Sequence, residues 1–133
     1  MLKFMRAALL TFGCAILGSP SDAADLTGAW ATDASLCDKV FVKAGNAVSF
    51  RPDSELYGSG FIIDGNRIRG QSAKCEIKSR RESGLVTYLI ASCATDIMFS
   101  SVQFSLKVID ENRVIRVFPE MPDMEVPYAR CPF

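Results

Sequence analysis

The sequence predicts an all-β domain: a small antiparallel up-and-down barrel of about eight strands, with a two-sheet sandwich as the alternative. Three observations lead there. Short apolar runs with period-2 alternation recur at hairpin spacing. Glycine, asparagine and aspartate clusters punctuate them. No segment keeps helical periodicity for as many as about ten residues.

The clearest strand is Val102 to Val108, where Val102, Phe104, Leu106 and Val108 alternate with Gln103, Ser105 and Lys107. That pattern gives one buried and one wet face. Asp110-Glu111-Asn112 turns the chain and Arg113 to Phe118 returns it, making a hairpin. Upstream, Cys75, Ile77 and Ser79 alternate with Lys74, Glu76 and Lys78. Arg80 to Gly84 reads as a charged turn, and Leu85 to Cys93 as the returning strand. Phe61 to Ile63 and Arg67 to Arg69 flank Asp64-Gly65-Asn66, a strong hairpin turn. Lys39 to Lys43 and Ala47 to Phe50 flank Gly45-Asn46 in the same way. Thr32 to Asp38 has room for one helical turn, and Arg51 to Gly60 is the longest irregular piece. Pro119, Pro122 and Pro127 define a fixed loop, after which Tyr128 to Cys131 forms a final edge strand.

Residues 1–23 read as a secretory signal. Lys3 and Arg6 give a positive start, Ala7 to Leu17 an apolar core, and Ser21-Asp22-Ala23 a small-residue cleavage site. The core is too short for a membrane span and has no polar face for an amphipathic helix. Cys14 as a lipoprotein cysteine fits poorly, because Thr11-Phe12-Gly13 precedes it. Residues 24–133 then form a single domain of about 110 residues, enough for one modest core. Without Lys3, Arg6 and Asp22, the remaining 13 basic and 14 acidic residues leave a net charge of −1. That balance argues against a nucleic-acid partner. Periplasmic or secreted localisation follows from the signal.

Once Cys14 leaves with the signal, Cys37, Cys75, Cys93 and Cys131 remain, an even count that reads as two disulfides in a short exported chain. A zinc site would want close Cys pairs or histidine, and the sequence has no histidine. Cys75 and Cys93 lie nearly symmetrically about one hairpin turn. Cys37 and Cys131 lie near two ends that a closed barrel brings together. Those two pairings are favoured, although spacing alone leaves the other two connectivities open.

The missing histidine excludes imidazole-dependent triads. A carboxylate pair such as Asp33 and Asp38, or Asp53 and Glu55, is the remaining catalytic option, ranked below solvated turn formers. Met121 and Met124, with Glu120, Asp123 and Glu125, could hold Cu(I), but read better as packing residues at an open barrel end. No cofactor or metal is therefore expected. Arg67, Arg69, Lys74, Lys78, Arg80 and Arg81 cluster within fifteen residues, opposed by Glu76. With Tyr88 they are the candidate binding surface for an anionic partner, Arg80 to Tyr88 supplying the tip.

Gly28-Ala29-Trp30 resembles the calycin pattern of lipocalins and of small bacterial metalloprotease inhibitors of the Inh type. The cysteine soon after the tryptophan, Cys37, is more similar to the inhibitors. In that family an N-terminal tail enters the protease cleft, whereas here only about six residues would precede Trp30 after processing. Ser83-Gly84 with Tyr88 also resembles the Ser-Gly-x-x-Tyr loop of exported C-type lysozyme inhibitors, one residue longer. As a whole the chain also resembles small uncharacterised exported bacterial proteins. These resemblances imply a non-enzymatic binding protein outside the cytoplasm, a hydrolase inhibitor, whose partner is an extracytoplasmic protein. A small-ligand carrier of calycin type is the alternative, and a carboxylate-dependent enzyme ranks last.

Overall fold

A computed structural model describes residues 13–15 and 24–133. The export signal expected over residues 1–23 lies outside the described residues, apart from 13–15. The strands are β1 (Gly28–Ala31), β2 (Phe41–Ala44), β3 (Ala47–Phe50), β4 (Gly60–Asp64) and β5 (Arg67–Gly70), followed by β6 (Lys74–Ser83), β7 (Val86–Ala94), β8 (Phe99–Asp110), β9 (Arg113–Val117) and β10 (Glu125–Cys131). A short helix α1 (Cys37–Val40) and 3-10 turns at Ala34–Leu36 and Ser54–Tyr57 lie between β1 and β4.

Eight strands close an antiparallel barrel in the order β1-β10-β9-β8-β7-β6-β5-β4, and β2-β3 form a separate hairpin. The sandwich alternative is thereby replaced by a closed sheet. Closure comes from β1, which pairs with β10 on one side (Trp30 opposite Arg130) and with β4 on the other (Trp30 opposite Phe61). Tyr128–Cys131 is accordingly no edge, because β10 lies between β9 and β1. The proline-rich loop is also shorter than expected. Pro127 sits inside β10 opposite Ile115. It lies beyond the last residue paired with β1, where its missing N–H costs nothing.

Gly65 and Gly84 carry the β4–β5 and β6–β7 turns with φ of 58° and 60°, a left-handed conformation that glycine adopts without Cβ strain. The first turn matches the sequence reading. The second is tighter than expected: Arg80 to Ser83 belong to β6, and Ser83 pairs with Val86 around Gly84-Leu85.

Alternation fills the barrel. Trp30, Ile63, Ile68, Cys75, Leu89, Ala91, Cys93, Leu106, Val114 and Tyr128 are buried together, with Phe61, Val102, Phe104 and Val126 packed against them. Phe61 stacks beside Trp30 at 6.2 Å and meets Tyr128 edge-on at 4.8 Å. The Trp30 indole N–H donates to the Leu26 carbonyl at 3.0 Å, so the segment before β1 folds across one barrel end.

A second core lies outside the barrel wall. Val40 and Phe41 pack on the outward residues Ala29, Ala31 and Ile62, with Cys37, Cys131, Val48 and Phe50 around them. Chain 32–59 thus covers the outer face of β10, β1 and β4. Gly60 makes this approach possible, since a Cβ there would lie 2.9 Å from the Trp30 carbonyl oxygen and 3.0 Å from Phe41 Cζ. The disulfide Cys37–Cys131 fastens this layer to β10, and Cys75–Cys93 cross-links β6 and β7 inside the barrel. Both are the pairings favoured from the sequence.

Candidate functional site

Ile68 points into the barrel, so Arg67 and Arg69 on either side of it point out. Register then places Lys74 opposite Arg69 and Glu76 opposite Arg67, with Ser92 beyond Glu76 on β7. These residues, with Asn66 and the exposed ring of Phe99, line an open cleft of about 570 Å³. Three cations face it against one carboxylate, and Glu76 is already paired with Lys78 at 3.2 Å. Arg69 donates to the Val48 carbonyl at 2.7 Å, which ties the β2–β3 hairpin to the barrel. The side chains of Arg67 and Lys74 form no ion pair among the described residues. The cleft can therefore offer two uncommitted cations and an aromatic face.

The other basic residues do not join this cleft. A bulge between Ile77 and Ser79 sets both Ile77 and Lys78 against Ala91 and reverses the phase of the rest of β6. Arg80 consequently shares the inner face with Leu89, where it pairs with Glu82 at 2.8 Å and donates to the Ala24 carbonyl at 2.6 Å. It anchors the N-terminal segment rather than projecting from a tip. Arg81 faces outward opposite Tyr88, its guanidinium 4.6 Å from the ring centroid. The expected six-residue basic face is thus divided into a cleft, a bulge residue, an exposed anchor of the N-terminal segment and a separate Arg81–Tyr88 pair.

Asp33 serves as a structural cap, its Oδ1 accepting from the Ser35 backbone N–H at 2.9 Å and the Ser35 hydroxyl at 2.6 Å. Those bonds, the hydroxyl first, hold its carboxyl below the usual carboxylate range. Asp53 adopts a left-handed φ of 59° at the start of the 3-10 turn containing Glu55. Met121 and Met124 are 52% and 44% exposed, so they do not plug the barrel as expected.

The sequence reading missed how far β8 extends. It begins at Phe99, three residues before the alternating run, because Phe99-Ser100-Ser101 lacks a period-2 contrast. Pairing with β7 recruits these residues nonetheless. Among the described residues, no helix is long and apolar enough to cross a membrane. No protein-family model matches the chain, and no curated protein or solved structure matches it either.

Proposed function

We propose that the protein is a non-enzymatic binding protein of the extracytoplasmic space, and that its Arg67–Arg69–Lys74 cleft grips a carboxylate-bearing surface of a partner protein. The observation that carries this reading is the pair of cations, Arg67 and Lys74, that have no ion-pair partner among the described residues and lie beside the exposed Phe99 ring. Arginine takes carboxylates in bidentate fashion, and an adjacent aromatic adds apolar area, the usual composition of an interface anchor. Two disulfides accord with an oxidising compartment. A hydrolase is the partner class that the sequence resemblances imply, and the inhibitor role goes with it.

The carrier reading ranks lower, because the barrel interior is occupied by Trp30, Phe61, Leu89, Leu106 and Tyr128, with the Cys75–Cys93 disulfide of two adjacent strands buried among them. The test compares the protein with its Arg67→Glu/Lys74→Glu variant, both immobilised and exposed to extracytoplasmic extract, with protease and lysozyme activity assayed against each. A protein retained by the native chain and lost by the variant, together with inhibition that is lost in parallel, supports the proposal. Equal retention by both proteins, or a small molecule extracted from the barrel in stoichiometric amount, overturns it.

A further inference from the structure

The two sides of β8 are unequally used. Its pairing with β7 runs from Phe99 to Lys107, whereas its ladder with β9 starts at Ser105, opposite Val117. From Phe99 to Phe104 the strand is therefore hydrogen-bonded on one side and open on the other. A groove of about 290 Å³ runs along this open side, between Ser101, Val102 and Gln103 and the wall made by Phe118, Pro119 and Met121. Proteins usually blunt such an edge with lysine, proline or a bulge. Here the edge itself is uncharged, proline-free and unbulged.

We propose that the β8 edge from Phe99 to Phe104 accepts an extended, cationic segment of a partner protein as an added strand. The charge of the surroundings selects the occupant. Residues 95–104 and 118–126 contain Asp96, Glu120, Asp123 and Glu125 and no lysine or arginine; the neighbouring Arg116 lies over the rings of Phe104 and Phe118, on the face that takes the apolar set. A second copy of this chain would set one acidic loop against the other, a like-charge contact that costs affinity. An incoming strand presents alternate side chains to the two faces. One set meets Val102, Phe104 and Phe118 and is best apolar; the other lies beside the acidic loop and is best lysine or arginine. Main-chain hydrogen bonds supply register and affinity, as in other strand additions. Ile97 and Phe99, 91% and 87% exposed at the hairpin tip, provide a further apolar landing. This site shares Phe99 with the basic cleft but none of its cations, and has the opposite charge.

The probe is a capped seven-residue peptide of alternating lysine and valine, with a glutamate–valine peptide as its counterpart. Amide hydrogen exchange resolved by residue is the readout. The lysine peptide is expected to protect amides within 99–104 and to bind at least about tenfold more tightly than the glutamate peptide. Ser101→Lys with Gln103→Lys, both exposed positions, should weaken the lysine peptide by about tenfold or more without altering exchange in the buried strands. Arg67→Glu/Lys74→Glu should not weaken this binding, which separates the site from the cations of the cleft. Absence of protection in 99–104, equal binding of both peptides, or protection that appears with protein concentration alone each overturns the proposal.

Discussion

The Arg130 guanidinium lies over the Trp30 indole, 4.4 Å from the ring centroid, and from there reaches three backbone carbonyls. It donates to Asp25 at 2.7 Å, to Glu111 at 2.8 Å, and to Thr27. One side chain thus joins β10, the β8–β9 turn and the segment that crosses the barrel end. A cation–π contact and three charge-assisted hydrogen bonds converge on it.

Arg130→Ala should therefore destabilise the protein by about 2–4 kcal/mol. Arg130→Lys should recover little, because an ammonium cannot span three carbonyls in one plane. Urea denaturation measures the loss. Tryptophan emission should shift to the red as the segment 24–27 leaves Trp30.

Arg116 faces the barrel interior opposite Leu106, over the rings of Phe104 and Phe118 at 4.6 and 4.9 Å, and its Nε is buried without a hydrogen-bond partner among the described residues. Arg116→Met keeps the stem and removes the unsatisfied group, so its stability should stay within about 1 kcal/mol of native or rise above it. Arg116→Ala should cost about 2 kcal/mol or more through lost packing on both rings. Denaturation midpoints of the two variants distinguish charge from bulk.

Gly60→Ala should destabilise by about 1–3 kcal/mol, since its Cβ would meet the Trp30 carbonyl at 2.9 Å and either β4 or the Val40–Phe41 layer has to move. A Phe41→Leu background should reduce the penalty, because Phe41 Cζ supplies the second close contact. A double-mutant cycle reads that coupling.

Three aspartates bind protons less readily in the folded protein than in the unfolded chain. The Thr27 backbone N–H, then its hydroxyl, hold Asp25 down, with Arg130 and Arg80 adding to the effect. Ser35 does so for Asp33, and Arg113 with the Asn112 N–H for Asp110. Their contribution is present above the ordinary aspartate value of about 4 and is lost as pH falls below it. Thermal midpoints should drop on acidification below that point. The Asp25→Asn/Asp110→Asn variant should show a shallower slope, and an unchanged slope would contradict this account.

In the chain-entropy picture, Cys75–Cys93 closes a separation of 18 residues and contributes about 3 kcal/mol; Cys37–Cys131 closes 94 and contributes about 4.7 kcal/mol. Cys37→Ala/Cys131→Ala should also speed amide exchange across 32–59 selectively, because that layer loses its bond to β10. Cys75→Ala/Cys93→Ala should instead lower stability throughout the barrel.

The hairpins, the turn glycines and the disulfides were legible because each rests on local rules: alternation of side chains, left-handed turn residues, and symmetry about a turn. What escaped depends on partners distant in sequence. The bulge at Ile77–Ser79 leaves no mark in the alternation of Cys75, Ile77 and Ser79, yet it turns Arg80 inward and Arg81 outward. The β2–β3 hairpin looks like two more barrel strands until Phe41 and Phe50 are seen to pack against the outside of the wall. The clustering of Arg67, Arg69 and Lys74 was readable; the diversion of Arg69 to Val48 was not, since it requires knowing where the hairpin lands. Pro127 signalled a loop, and only the early end of the β1 ladder makes room for it in a strand.

Joining Cys37 to Cys131 makes most of this chain a covalent ring. A protease that cuts a single peptide bond between them produces two pieces that remain attached to one another. Cleavage at the exposed Ile97-Met98 tip, for instance, leaves an intact mass on a non-reducing gel and two fragments only after thiol treatment. The strands on either side of the nick stay tethered within reach of their neighbours, so re-pairing is an intramolecular event. In surroundings rich in hydrolases, the molecule can be nicked in this ring and still hold its shape.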